Sequence, residues 1–185
     1  MTPPPELRQL CSELENREIK RSVFLKRCVR LVASELECSR AGIWMFEGGN
    51  EGRRLTCLAM FDRARARSTN VPAESGPQVA TYFAALENSG FVVADDARGH
   101  PATAGFFEDH LNVSGVRSLL AVAFSVNGRL YGAFTCTQVG GTSKWTHQQL
   151  AALRAIAGRV SLAIANAERH ESDTQPALLG NDSAR

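Results

Sequence analysis

Residues 115–138 read GVRSLLAVAFSVNGRLYGAFTCTQ, two apolar runs joined by Asn127-Gly128. An Asn-Gly pair between alternating apolar residues is the strongest short-range signal for a β-hairpin. Side chains alternate along a strand, so Leu120, Val122, Phe124 and Val126 share one face of the first strand, while Leu119, Ala121, Ala123 and Ser125 share the other. On the second strand Leu130, Phe134 and Cys136 fall on one side and Tyr131, Ala133, Thr135 and Thr137 on the other. One face is bulky and apolar, suited to lie under helices. The other is small and carries hydroxyls, which leaves space above it. The hairpin predicts a sheet with a packed side and a hollow side.

The chain around it has 185 residues, the length of one domain, and is 44% hydrophobic, enough for a core. A net charge of +2 gives no whole-molecule argument for nucleic acid or an anionic membrane. The five cysteines are odd in number and show no CxxC or Cys/His metal spacing, which reads as reduced thiols filling a cytoplasmic core. The opening MTPPPELRQL has no signal-peptide pattern, and no run approaches a membrane span of about 18 apolar residues. The expectation is a soluble, cytoplasmic protein with no nucleic-acid or membrane partner.

Upstream, helical spacing predicts one helix over about 6–15 (Leu7, Leu10, Cys11, Leu14) and another over 18–37. The second carries Lys20, Arg21, Lys26, Arg27 and Arg30 opposite its apolar stripe; with no aromatic residues among them they read as a solvated face. Strands follow at 41–46 (AGIWMF) and 54–61 (RLTCLAMF), then an arginine-rich loop over 62–75, a helix at 77–88, a strand at 91–94 and a short helix or turn over 102–111. After the hairpin, Thr146 and Gln149 form a capping box and Trp145 with Leu150 a hydrophobic staple, opening a long helix with a stripe from Leu150 to Ile164. Its alanines keep it slim. Beyond about residue 169 the periodicity is lost. The layout is 1–17 as a helical extension, 18–169 as the domain and 170–185 as a disordered tail. The order of elements predicts an α+β fold, a central antiparallel sheet with helices from both chain ends on one face and residues 62–112 over a pocket on the other.

The blocks RAGIWMFEGG, DDARGHP, GVRSLL with VNGRLYGAFTC, and KWTHQQLAALRAIAGRVSLAIANAER resemble a GAF domain of bacterial signalling proteins, over about residues 24–169. The resemblance implies a PAS-like architecture, a small-molecule pocket on one sheet face and pairing into a homodimer through the first and last helices. It extends to bilin-binding phytochrome GAF domains: VPAESGP stands where they carry a PASDIP-like motif and HLNVSGVRS where they carry YLxNMGVRA. The thioether-anchoring Cys-His pair of those domains corresponds to Phe106-Phe107, the Asp of their first motif to Ser75, and their strand histidines to Thr137 and Gln138. No covalent bilin is expected.

Two further GAF types compare less well. Free methionine sulfoxide reductases need a nucleophilic and a resolving thiol at the pocket, and only Cys57 here falls where a pocket thiol belongs. The Asn-Lys-Phe-Asp-Glu signature of cyclic-nucleotide GAF domains survives at best as a fragment in Phe106–Asp109. Arg63, Arg65 and Arg67 form a basic loop near the expected pocket mouth.

The pocket floor is expected from Leu119, Ala121, Thr135 and Thr137, joined by Gly42, Trp44 and Phe46 from the first strand, with Tyr82, Phe83 and Phe107 as lid. Trp44 stands out because a large aromatic with one N–H donor can both stack and orient a ligand. Asp95, Asp96 and Arg98 read as turn-fixing residues, with Arg117 paired to Asp96. His100, His110, His147 and His170 are scattered, and no catalytic or metal constellation is legible. The reading is a stand-alone sensory GAF-like domain that binds an unidentified small molecule, dimerises through its terminal helices and passes its output to a signalling partner protein. The alternative is a ligand-free dimerisation scaffold; a reductase-like enzyme is the remote one.

Overall fold

A computed structural model describes residues 4–48, 54–68, 74–75 and 79–173. The turn after the first strand and most of the VPAESGP motif lie outside the described residues, as do the first residues of the proline-rich lead and everything after Asp173.

Helix α1 (Pro5–Glu15) begins on a proline, which the first helical turn tolerates because its missing N–H has no intrahelical partner there. It ends at Asn16, and Arg17 follows in the left-handed region at φ 61°, so the chain turns instead of running on into α2 (Arg21–Glu35). Strands β1 (Arg40–Glu47) and β2 (Arg54–Asp62) follow as the sequence predicts. The arginine loop differs from expectation: β3 (Arg67–Ser68) and β4 (Glu74–Ser75) both pair with β2, so this loop clasps the sheet edge. Then come α3 (Ala80–Ser89) and β5 (Phe91–Ala94). A short turn of helix, α4 (Ala104–Phe106), widens into a π-helical turn over Phe107–Asn112. The hairpin is β6 (Val116–Val126) and β7 (Arg129–Val139), and α5 (His147–Asp173) closes the domain.

The strands form one antiparallel sheet in the order β3-β2-β1-β7-β6-β5, with β4 also on β2. At the hairpin tip Asn127 and Gly128 both take positive φ (51° and 78°), the two-residue turn whose twist matches the strands. The bulky face lies under the helices: Leu120, Val122, Phe124, Val126, Phe134 and Cys136 join Ile43 and the apolar faces of α1, α2 and α5 in one core.

Three register shifts alter the simple alternation, one of them between Val116 and Ser118, where Arg117 is the extra residue. On β7 the register slips between Phe124 and Ser125, leaving Tyr131 as the extra residue. Tyr131 therefore does not share the hollow face with Ala133. It packs against Phe124 on the helix side, where Arg21 donates to its hydroxyl at 2.7 Å. On β2 a slip opposite Ile43 and Trp44 makes Leu58 the extra residue, and Leu58 joins the helix-side core.

The start of α5 is built as the capping box requires. Gln149 N donates to Thr146 Oγ1 at 3.1 Å, and Thr146 N donates back to Gln149 Oε1 at 2.9 Å. Trp145 is buried, and its indole N–H has no partner among the described residues. The helix continues through Asp173, past the predicted loss of order at residue 170. By length and mean hydropathy (1.3 over residues 147–170) it is also apolar enough to cross a membrane, a property the sequence reading did not credit to any run. In this fold its apolar stripe from Leu153 to Ile164 is buried against β6 and α1. α1 thus covers part of the terminal helix, tied by Arg159 to Glu15 at 2.9 Å.

Candidate functional site

The hollow face is filled at one end and open at the other. Toward Phe46, Ala123 and Ala133, helix α3 packs down on the sheet, and Phe46 meets Phe83 edge-on with ring centroids 5.0 Å apart. Toward the start of β1 and the end of β7 there is a cavity of about 360 Å³. Its floor includes Trp44, Leu119, Thr135 and Thr137; Tyr82 and Phe106 stand over it; His110, Leu111, Val113 and Ser114 form a wall from the π-helical turn and the loop after it. Small residues make the floor low. Gly42 is decisive, because a Cβ there would stand 2.9 Å from Trp44 Nε1 and 3.0 Å from Thr135 Oγ1. The missing side chain lets the indole lie down over the sheet and donate to Thr135 Oγ1 at 3.0 Å.

Of the ten residues expected in the pocket, Trp44, Tyr82, Leu119, Thr135 and Thr137 line this cavity, and Gly42 lies in its floor against Trp44 and Thr135. Four do not. Phe46 and Phe83 form the core pair just described, and Ala121 is wholly buried beneath that cluster. Phe107 turns away to lie under the guanidinium groups of Arg98 and Arg117, 5.9 and 5.8 Å from its ring centre. Its neighbour Phe106 takes the lid position instead, edge-on to Tyr82. Strand parity cannot place residues on a π-helical turn, where the usual helical spacing fails. Arg117 therefore stacks on Phe107, and among the described residues it makes no pair with Asp96. Asp96 Oδ1 accepts from Arg98 N at 3.0 Å, and Asp95 Oδ1 accepts from Trp145 N at 2.8 Å, the turn-fixing roles expected of them.

The cavity mouth carries a charged group that sequence reasoning saw only as a basic loop. Asp62, at the end of β2, is buried and accepts from Arg40 Nε at 2.8 Å, Arg65 Nη1 at 3.4 Å and Arg65 N at 3.1 Å. Burial pushes its carboxyl up, but the bonds and charges of Arg40 and Arg65 together outweigh that and hold it below the usual carboxylate range. Arg40 also donates from Nη1 to Ser114 O at 2.9 Å, tying the sheet to the cavity wall. Arg40 at the first position of β1 had no signal of its own; only the β1–β2 register, which sets it opposite Asp62, reveals it.

The thiols stand apart from this site. Cys57 is not among the cavity-lining residues, and burial pushes its thiol up to about 11. Burial likewise raises Cys11 to about 11 and takes Cys28 and Cys136 well above the ordinary range. No group of three or more metal-ligating side chains occurs among the described residues.

The family model for the GAF domain matches residues 21–164. The chain belongs to the GAF domain family. Solved GAF structures superpose on it over nearly its whole length at low identity. The phycoerythrobilin-bound GAF domain of a cyanobacterial phytochrome gives a TM-score of 0.72 at 14% identity, covering 89% of this chain and 95% of that one. The blue-light absorbing form of the Thermosynechococcus elongatus PixJ GAF domain gives 0.71 at 17% identity, covering 86% and 92%. The photosensory core module of a Stigmatella aurantiaca phytochrome gives 0.68 at 17% identity, covering 90% of this chain but 37% of that longer one. No curated protein matches the chain. At these identities the likeness establishes the GAF fold. Within that fold, Phe106 and Phe107 offer no nucleophile for a thioether.

Proposed function

We propose that this GAF domain is a cytoplasmic sensory module that holds a small molecule non-covalently on the hollow face of its sheet. The observation that carries the reading is the cavity of about 360 Å³, floored by small residues and by an indole whose N–H is fixed on Thr135. Pockets that bind small ligands are apolar clefts of roughly 300–1,000 Å³ with a few placed polar groups. The protein acts as a homodimer, its free contact surface being the stripe of α5 that α1 leaves open. There Ala151, Arg154, Gly158 and Leu162 are exposed along one face, Leu162 by 51%. Output passes to a separate partner protein. Catalysis through a thiolate is disfavoured because burial pushes up both thiols that lie on the sheet, Cys57 and Cys136, and keeps them protonated at neutral pH.

A scaffold reading draws on one observation, the Phe46–Phe83 pair that fills the other end of the same face with core. Native mass spectrometry of protein purified from its own cell, compared with the denatured mass, separates the two. A dimer carrying a reproducible small added mass is expected. A dimer without added mass, even from protein never exposed to dialysis, favours the scaffold; a monomer refutes the dimer.

A further inference from the structure

Among the described residues, the charged side chains lining the cavity are Arg40, Asp62 and Arg65, with His110 across the mouth, its ring tilted against Phe106. The carboxylate of Asp62 is fully engaged, one oxygen on Arg65 N and the other on Arg40 Nε and Arg65 Nη1. The guanidinium donors are not. A guanidinium offers five N–H groups in a fixed fork. Among the described residues Arg40 spends two of its nitrogens, on Asp62 and Ser114, and Arg65 spends Nη1. Two guanidinium charges against one carboxylate leave one positive charge at the lip of an apolar chamber, where it is less screened than in open water.

Resting on the small-molecule reading above, we infer that the ligand has an apolar body of one or two rings and a single carboxylate, seated on Arg40 and Arg65. The single charge follows from the balance at the mouth: a dianionic phosphate would meet one uncompensated positive charge and repel Asp62. The planar fork suits a carboxylate. The size follows from the chamber, whose 360 Å³ is near the small end of ligand pockets. Leu111, Leu119 and Trp44 supply the apolar contacts, and the hydroxyl of Thr137 adds a polar point on the floor.

The two tryptophans make the test clean, because Trp44 lines the cavity while Trp145 lies in the core on the opposite face. The full ¹⁵N-labelled chain is titrated with naphthalene-1-carboxylate, naphthalene-1-carboxamide and 1-naphthyl phosphate while the two indole N–H signals are followed, assigned with Trp145→Phe. The expected result is a shift of the Trp44 signal alone, with the carboxylate about tenfold tighter than the amide and the phosphate no tighter than the carboxylate. Arg65→Gln, at a side chain 56% exposed, should keep the fold and bring the carboxylate down to the affinity of the amide, which itself stays unchanged. Equal binding of amide and carboxylate, or indifference to Arg65→Gln, overturns the anion assignment while leaving the pocket standing. Tighter binding of the phosphate overturns the single charge. Failure of all three compounds to move Trp44 at millimolar concentration overturns the pocket reading and the inference with it.

Discussion

Replacing Gly42 with alanine tests the floor of the cavity at its narrowest point. The added Cβ would lie 2.9 Å from Trp44 Nε1, 3.0 Å from Thr135 Oγ1 and 3.1 Å from Met60 Cε, one neighbour on each of three strands. Ordinary contact starts near 3.4 Å, so each neighbour must retreat by about 0.3–0.5 Å. Met60 ends in a flexible methyl and can yield. The indole and the threonine cannot both yield and keep their 3.0 Å hydrogen bond. Overpacking costs about 1–3 kcal/mol and the strained hydrogen bond about 1 kcal/mol more. Against this, alanine restricts the unfolded chain by about 0.4–1 kcal/mol. The net is a loss of about 2 kcal/mol, a fall in melting temperature of roughly 4–8 °C for a domain of this size. Thermal unfolding by circular dichroism gives the stability, and the Trp44 indole N–H signal should move while that of Trp145 stays in place. A melting temperature within about 1 °C of the parent and an unmoved Trp44 signal would refute the geometry given for the floor. The matched control is Gly141→Ala in the exposed loop before α5, where the new Cβ meets nothing within 4 Å. Without overpacking, that variant should stay within about 1 kcal/mol of the parent.

Three further outcomes are expected. The hydrogen bond from Arg159, ahead of the opposing burial and the smaller contribution of Asn166, holds the Glu15 carboxyl below its ordinary 4.5. A carboxyl lowered in the folded state adds stability above its unfolded value and loses it as pH falls through the folded one. Glu15→Gln should therefore be about 1 kcal/mol less stable at pH 7, with the gap closing below about pH 4.5 in chemical denaturation. Thr146→Ala removes the cap of α5 and should cost about 1 kcal/mol by the same assay, whereas Thr146→Ser should cost much less. Leu162→Arg places a charge on the exposed stripe of α5 and should shift the sedimentation profile from dimer to monomer without lowering the melting temperature at low concentration. An unchanged dimer would move the interface elsewhere.

Most of the architecture was legible because hydrophobic period and turn chemistry agree along the chain. Asn127-Gly128 fixed the hairpin, the 2-residue period of β6 assigned its two faces, and Thr146 with Gln149 marked where α5 starts. What was not legible lay where that period breaks. Tyr131 crosses to the helix face because a bulge inserts it without a partner, and nothing in the local letters marks that residue over its neighbours. Phe106 and Phe107 exchange the expected lid role because they straddle the junction of a helical and a π-helical turn. The pairing of β3 and β4 with β2 comes from a segment whose composition reads as loop, and it is the tertiary edge that recruits it.

The position of the cavity follows from a gradient in side-chain size along the sheet. At the hairpin-tip end, β1 contributes Phe46 and α3 sets Phe83 against it, so the hollow face is closed by core. At the other end the same strands present Gly42, Thr135 and Thr137, and α3 supplies only Tyr82 from its first turn, leaving Phe106 and the π-helical wall to span the rest of the gap. That wall is held to the sheet by Arg40, which bonds Asp62 through Nε and Ser114 through Nη1. Arg40 is thus shared between the wall and the mouth of the chamber. Some of the donors that would seat a carboxylate belong to the guanidinium that holds Ser114 O, so the mouth and the wall share one side chain rather than being linked through the core.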